Sequence, residues 1–264
     1  MTETRSSQQE ERNLMGCKEQ RQQPIGPSVS LSQPGPGPRP SKVTLAGHAV
    51  TIVPLAADHA GDLYDVVKGG DHEHLFTYLF DDPYPSLASF EEAVVTKSQS
   101  QDPLFFALVD NTTSKPVGWA SLMRVDTTHR VVEVGNILFS PRLQRTKAAT
   151  EAMYLLAKYV FEELGYRRYE WKCDNLNGPS KRAAIRYGFT FEGVFRKHMV
   201  YKGRSRDTCW FSMVEEDWWE RGVKQGFEAW LNDANFDGQG RQKRRLEDVR
   251  GEMQGQKGPV VLEV

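Results

Sequence analysis

The stretch FSPRLQRTKAAT, residues 139–150, has the makings of an anion site. An apolar run ends at Phe139, a short loop follows, and a helical pattern opens near Lys147. The free N–H groups at a helix start, helped by the helix dipole, attract a pyrophosphate. Ala148 and Ala149 leave the backbone approachable, and Arg142, Arg145 and Lys147 add positive charge. An ordinary helix start with solvated basic residues would read the same way. Glu133 stands in an otherwise apolar run, VVEVGNILF, where a carboxylate is costly unless paired or functional. A structural ion pair or an outward-facing side chain competes with a chemical role. Asn177 and Ser180, in NGPS, stand where they can cap a short helix. His198, in FRKHMVYKG, has an ordinary pKa near ~6.5, so it suits a proton acceptor as well as a surface or packing role. Cys173 and Cys209, in WKCDN and TCWFS, read as core thiols rather than nucleophiles. Three widely spaced cysteines make neither a disulfide framework nor a metal cage, and the six histidines lack ligand spacing. No metal is expected.

These residues need a sheet to hold them. HAVTIVP (48–54) alternates like a first strand, and Asp58 can cap a helix through Val67 that Lys68–Gly69–Gly70 stops. An aromatic-rich loop, LFTYLFDDPYPS, precedes a second helix beginning at Ser86. Three strand-like runs follow, Leu104–Val109, Val117–Arg124 and Val131–Phe139, with turn residues between them, as in an antiparallel meander. From Lys147 to Leu164 apolar residues recur at helical spacing until Gly165. Arg168–Cys173 is a strand, Ser180–Tyr187 a short helix, and Phe189–Phe195 a further strand. Residues 197–202 and 206–214 form a hairpin, and Trp218–Trp230 a final amphipathic helix. The expected class is α+β (mixed α/β): one twisted mixed sheet of about six or seven strands flanked by helices, parallel only where a helix crosses over.

Composition divides the 264 residues into three parts. Residues 1–41 and 232–264 are polar, charged and Gly- or Pro-rich, so both are expected to lack structure; 42–231 holds nearly all the large apolar residues and makes one domain. A net charge of −1 gives no pull toward nucleic acid or a membrane, and Lys243–Arg244–Arg245 sits among acidic residues. No apolar run approaches the roughly 20 residues that span a bilayer, and no secretory signal opens the chain. A cytoplasmic protein, monomer or homodimer, is expected.

Three segments resemble the GNAT superfamily of acetyltransferases, and within it the RimJ/RimL branch that acetylates ribosomal-protein N-termini. They are VEVGNILFSPRLQRTKAATEA (132–152), CDNLNGPSKRAAIRYGFTFEG (173–193) and KGRSRDTCWFSM (202–213), in family order and at family spacing. The resemblance implies an acyl-CoA N-acyltransferase fold with acetyl-CoA, or another acyl-CoA, as co-substrate. It implies that Gln144, Arg145, Thr146, Lys147, Ala148, Ala149 and Thr150 form the phosphate loop. That loop usually reads Gln/Arg-x-x-Gly-x-Gly/Ala; here Lys147 holds the first glycine position and is expected to pair with phosphate. The strand 131–139 should splay from 168–173, with N–H groups near Ile137 and Leu138 bonding the pantetheine arm and the oxyanion. Glu133 matches the family's Glu-(apolar)-Gly signature, as a base or an amine-orienting group, with Asn136 as a polar contact. Asn177 would orient the pantetheine, and Ser180 matches the serine near the cofactor sulfur, a general acid for the thiolate, with Tyr187 as an alternative acid. His198 is a second candidate base. Tyr78, Phe80 and Tyr84, beside Phe76, Asp81 and Asp82, would border the site of a small-molecule amine or a peptide N-terminus. Direct transfer in a ternary complex is preferred to a covalent acyl-enzyme. The competing reading is a GNAT-fold module that binds acyl-CoA but has lost turnover, with Lys147 as its chief support.

Overall fold

The sheet grows from segments rich in β-branched and aromatic residues, which fit a pleated, half-buried surface. In the computed structural model, which describes residues 23–29 and 35–254, the chain divides at Pro34 and Gly35. Residues 23–29 are exposed. From Gly35 onward the elements run β1 (Leu45–Ala46), β2 (Val50–Pro54), α1 (Ala60–Val67), α2 (Leu87–Gln99), β3 (Leu104–Asp110), β4 (Lys115–Asp126) and β5 (Val131–Phe139). Then come α3 (Lys147–Lys158), β6 (Arg168–Asp174), α4 (Gly178–Arg186), β7 (Thr190–Tyr201) and β8 (Arg204–Val214). Three helices close the order: α5 (Glu215–Trp219), α6 (Val223–Leu231) and α7 (Leu246–Gln254).

The strands make one sheet in the order β1-β2-β3-β4-β5-β6-β8-β7. Only β5 and β6 are parallel, and α3 is the crossover between them. The mixed architecture is the expected one, with eight strands because the short β1 pairs Leu45 with Ile52 at one edge. Residues 189–195 and 197–202, expected as two strands, form the single strand β7, bent where Lys197 takes a φ of 49° and donates its N–H to Asp207. The expected helix 218–230 is broken into α5 and α6 by Gly222, whose φ of 78° is left-handed.

Alternation along the strands gives each face its own core. Phe106, Leu122, Val134, Trp171 and Phe211 pack with α3 and α6 on one face. Phe105, Trp119 and Leu138 pack with Leu63, Phe90 and Val94 of α1 and α2 on the other. Ser86 caps α2 by accepting the Ser89 N–H, as its sequence position suggests.

The domain limits differ from expectation at both ends. Within 1–41, Gly35–Ser41 join the folded unit: the Gly37 N–H donates to Thr127 O at 2.8 Å and the Ser41 N–H to the Tyr159 hydroxyl at 3.0 Å. Residues 1–22 and 30–34 lie outside the described residues, as do 255–264. The expected unstructured tail from 232 does not hold up to 254. Leu246 and Val249 of α7 are 1% and 3% exposed, and Phe236 meets Trp230 edge-on with ring centroids 5.1 Å apart. A few apolar residues at helical spacing suffice when a neighbouring face is there to receive them, and average composition hides them.

Candidate active site

A gap opens in the middle of the sheet. The β5–β6 ladder runs from Val131↔Arg168 to Val134↔Trp171 and stops. On its other edge β5 stays paired to β4, but the register jumps from Ser121↔Gly135 to Trp119↔Leu138, so Asn136 and Ile137 together face Ala120. Asn136 carries the bulge at φ 49°, a region asparagine tolerates. Its Nδ2 donates to Ser121 Oγ at 3.1 Å, and that hydroxyl donates to Gly135 O at 3.0 Å. Beyond Gly135 the edge of β5 toward β6 therefore has no ladder partner. A groove of about 1440 Å³ fills the space, lined by Ile137 and Leu138 on one side and Cys173 and Asp174 on the other.

At one end the groove meets the start of α3. Thr146 is the cap: its Oγ1 accepts the Ala149 N–H at 3.1 Å and donates to Leu143 O. Gln144 ties the loop to Phe139 O at 2.9 Å, and Arg145 takes a left-handed φ of 62°. Gln144, Arg145, Thr146, Lys147, Ala149 and Thr150 all line the groove. Ala148 turns into the core instead. The Lys147 ammonium points at the C-terminal segment, 2.6 Å from Asp233 Oδ1 and 4.6 Å above the Phe236 ring. Lys147, expected to pair with phosphate, is engaged by the Asp233 carboxylate in this conformation. Thr150 Oγ1 accepts from Arg186 Nη1 at 3.0 Å, and the Arg186 guanidinium stacks 5.0 Å from Trp230. Trp230 of α6 closes this end with Phe236, Arg241 and Gln242, and sequence reading missed the last three by treating the tail from 232 as unstructured.

At the midpoint Asn177 caps α4 through its Oδ1, which accepts the Ser180 N–H at 3.1 Å. Ser180 Oγ accepts the Trp171 indole N–H at 2.9 Å and faces the groove. The neighbouring Cys173 thiol is pushed up to about 11 by burial, so it is a protonated core thiol. Tyr187 is buried, its hydroxyl pKa raised by that burial, although its side chain borders the groove.

The other end holds buried charge. Glu133 Oε2 receives Arg124 Nη1 at 2.7 Å and Lys172 Nζ at 2.8 Å. Lys172 also meets Glu170 at 2.7 Å. A Cβ at Gly135 would stand 2.5 Å from Met123 Sδ, so a larger residue there would push the Met123 side chain aside. His198 packs behind the groove, its Nδ1 3.0 Å from Thr208 Oγ1 and its ring against Phe195 and Trp210. Its pKa is lowered, first by burial and then by Arg124, Arg206 and Lys172. Tyr78 and Phe80 line this end, and the Tyr78 hydroxyl donates to Leu176 O at 3.1 Å. Tyr84 does not: it packs edge-on against Phe90 and Phe76 and lines a separate cavity of about 460 Å³. It packs, partly buried, against the α1–α2 core. Arg124, Lys172, Asp174 and Arg206 also line the groove and were not singled out in the sequence; charged residues on alternating strand positions look the same whether solvated or buried. Among the described residues no group of three or more His, Cys, Asp or Glu is placed to hold a metal ion, and no helix is long and apolar enough to cross a membrane.

A parallel strand pair parted above a capped helix start, within a mixed sheet, defines an acyltransferase-type fold. The model of the GNAT acetyltransferase domain matches residues 49–190, and the chain belongs to that family. A GCN5-related N-acetyltransferase from Brucella melitensis is 46% identical, over 83% of this chain and 99% of that one, with a TM-score of 0.80. YnaD, an uncharacterized N-acetyltransferase of Bacillus subtilis (strain 168), is 30% identical over 86 residues, 33% of this chain and 50% of YnaD, so the match spans about half of that relative's length. The fold is also that of spermidine N-acetyltransferase from Vibrio cholerae, solved in complex with CoA and spermine, at 18% identity and a TM-score of 0.52 over 64% of this chain and 96% of that one.

Proposed function

We propose that this protein transfers an acetyl group from acetyl-CoA to a primary amine by direct attack in a ternary complex. We further assign it to the RimJ/RimL-like branch, on the three segments quoted above, with a small molecule or a peptide N-terminus as acceptor. The observation that carries the reading is the parting of β5 and β6 after Val134 and Trp171, which joins the α3 start to the buried Glu133 cluster in one groove. The diphosphate would take the amides at the start of α3, and the pantetheine arm would run along the unpaired edge of β5. The neutral amine nitrogen forms a bond to the thioester carbon, and backbone N–H groups near Ile137 and Leu138 steady the oxyanion. The C–S bond then breaks, the sulfur gains a proton, and the nitrogen loses one. Ser180 suits the first transfer, since its oxygen accepts the Trp171 N–H and its hydroxyl, which also hydrogen-bonds the Cys173 sulfur, lines the groove. For the second, Glu133 has both cations on Oε2 and suits an orienting group better than a base. The lowered pKa of His198 favours the neutral imidazole, which lies outside the groove lining and would take the proton through water.

The test is thiol release from acetyl-CoA against a broad set of amines, with product masses read alongside. Acetylated amine in amounts matching the released thiol is the expected result. CoA binding by the folded protein with no thiol release from any amine would overturn the reading in favour of a binding module.

A further inference from the structure

Arg206 is a buried cation whose counter-charge is missing. The residue is 7% exposed and lines the groove at the Glu133 end. Nε donates to Thr208 Oγ1 at 3.1 Å. Among the described residues its guanidinium forms no ion pair, unlike Arg124 and Lys172, both committed to Glu133. Asp174 also lines the groove and accepts the Tyr201 hydroxyl and the Leu176 N–H, both at 2.8 Å, but makes no ion pair with Arg206 within 4.0 Å. A buried charge without a partner costs several kcal/mol unless something supplies the opposite charge.

The surroundings make a built pocket. The Tyr201 and Phe80 rings lie 5.7 Å and 6.0 Å from the Arg206 guanidinium carbon and meet each other edge-on. Lys202 pins the loop that carries Phe80, donating to Phe76 O at 2.8 Å and to Asp81 O at 2.7 Å. The loop's own carboxylates are spoken for: Asp81 pairs with Lys97 at 2.9 Å and Asp82 with Lys202 at 3.1 Å. They leave little to attract a second positive charge on an acceptor. What the pocket offers is a guanidinium edge with two Nη atoms, held by aromatic rings, which matches the planar geometry of a carboxylate.

We propose that the acceptor is an amino acid-like primary amine whose own carboxylate docks on Arg206. The proposal rests on the acetyltransferase reading and narrows it to small amino-carboxylates, against polyamines and against peptides with no carboxylate near the amine. Arg206 is then a specificity-determining residue; it holds the acceptor and takes no part in proton transfer.

The experiment uses the full chain with acetyl-CoA and matched pairs, each L-amino acid against its carboxamide, which keeps the size and removes the charge. An amino acid is expected to exceed its carboxamide in kcat/KM by about 10–100-fold, the worth of a charge-assisted bond. Arg206→Gln should bring the acid-to-carboxamide ratio of kcat/KM close to one, and that ratio, not the absolute rate, is the readout. Arg206→Lys, which keeps the charge without the fork, should fall between and serves if the glutamine variant does not fold. Equal use of acids and carboxamides, or an equal loss on both in the variants, overturns the proposal. Should no acceptor be turned over, the catalytic reading fails by itself, and calorimetry on CoA-saturated protein decides this one. N-acetyl amino acids should then bind wild type about tenfold or more tighter than the Arg206 variants, and no Arg206-dependent binding would sink it.

Discussion

The Nζ of Lys172 lies 2.8 Å from Oε2 of Glu133, in a pair whose side chains are 4% and 5% exposed. The same ammonium reaches Glu170 and stands 3.9 Å over the Trp210 ring. Lys172 is therefore the hub through which two carboxylates from neighbouring strands are tolerated.

Removing the hub leaves both acids without their shared cation. Lys172→Met is expected to cost about 1–3 kcal/mol of stability, as measured by urea unfolding, because each acid loses its buried ammonium while Glu133 keeps Arg124 and Glu170 keeps Arg168. Glu133→Gln should lower kcat while leaving the acid limb of the rate profile in place. Loss of that limb would make Glu133 the base after all.

Lys147 makes a different case. Its ammonium is held by Asp233, so Lys147→Ala should change CoA affinity by less than about threefold, the scale of an exposed ion pair. A tenfold loss in calorimetry would put that ammonium on the diphosphate.

The C-terminal segment should matter more. Phe236→Ala removes a ring that lines the groove and packs on Trp230, and weaker CoA binding, by about tenfold, is expected from the lost apolar contact. Unchanged affinity would confine the segment to a structural role.

His198 gives a pH signature. Its folded pKa lies below the unfolded value, so between the two the unfolded chain binds the extra proton and stability falls as pH drops below about 6.5. His198→Gln should lose less stability than wild type between pH 7.5 and 5. Parallel denaturation midpoints for the two proteins would show that His198 does not titrate differently on folding.

Cys173 and Cys209 are buried free thiols with raised pKa values. Both should resist iodoacetamide at pH 8 until the protein is unfolded, read by peptide mass. Cys173→Ser should keep turnover within a few-fold, and abolition of activity by that change would reopen the acyl-enzyme route.

Much of the site was legible because it depends on local rules. Thr146 and Asn177 cap the helices that follow them, as short polar side chains before helical patterns do. Ser180 and the 144–150 loop reach the groove because capping fixes where the helix begins. Tyr84 was misjudged for the opposite reason: a loop's sequence lists its aromatic residues but not which of them turns inward.

Sequence alone determined the strand and helix periods, the start of α3 near Lys147 and the apolar setting that made Glu133 conspicuous, since these rest on neighbours a few residues apart. Only the tertiary structure decided that Lys172 and Arg124 converge on Glu133, that Asp233 turns Lys147 away, and that Arg206 is left with an open edge. Ion pairing in a buried groove depends on which charges from distant strands reach the same few ångströms, and that distance is not encoded in spacing along the chain.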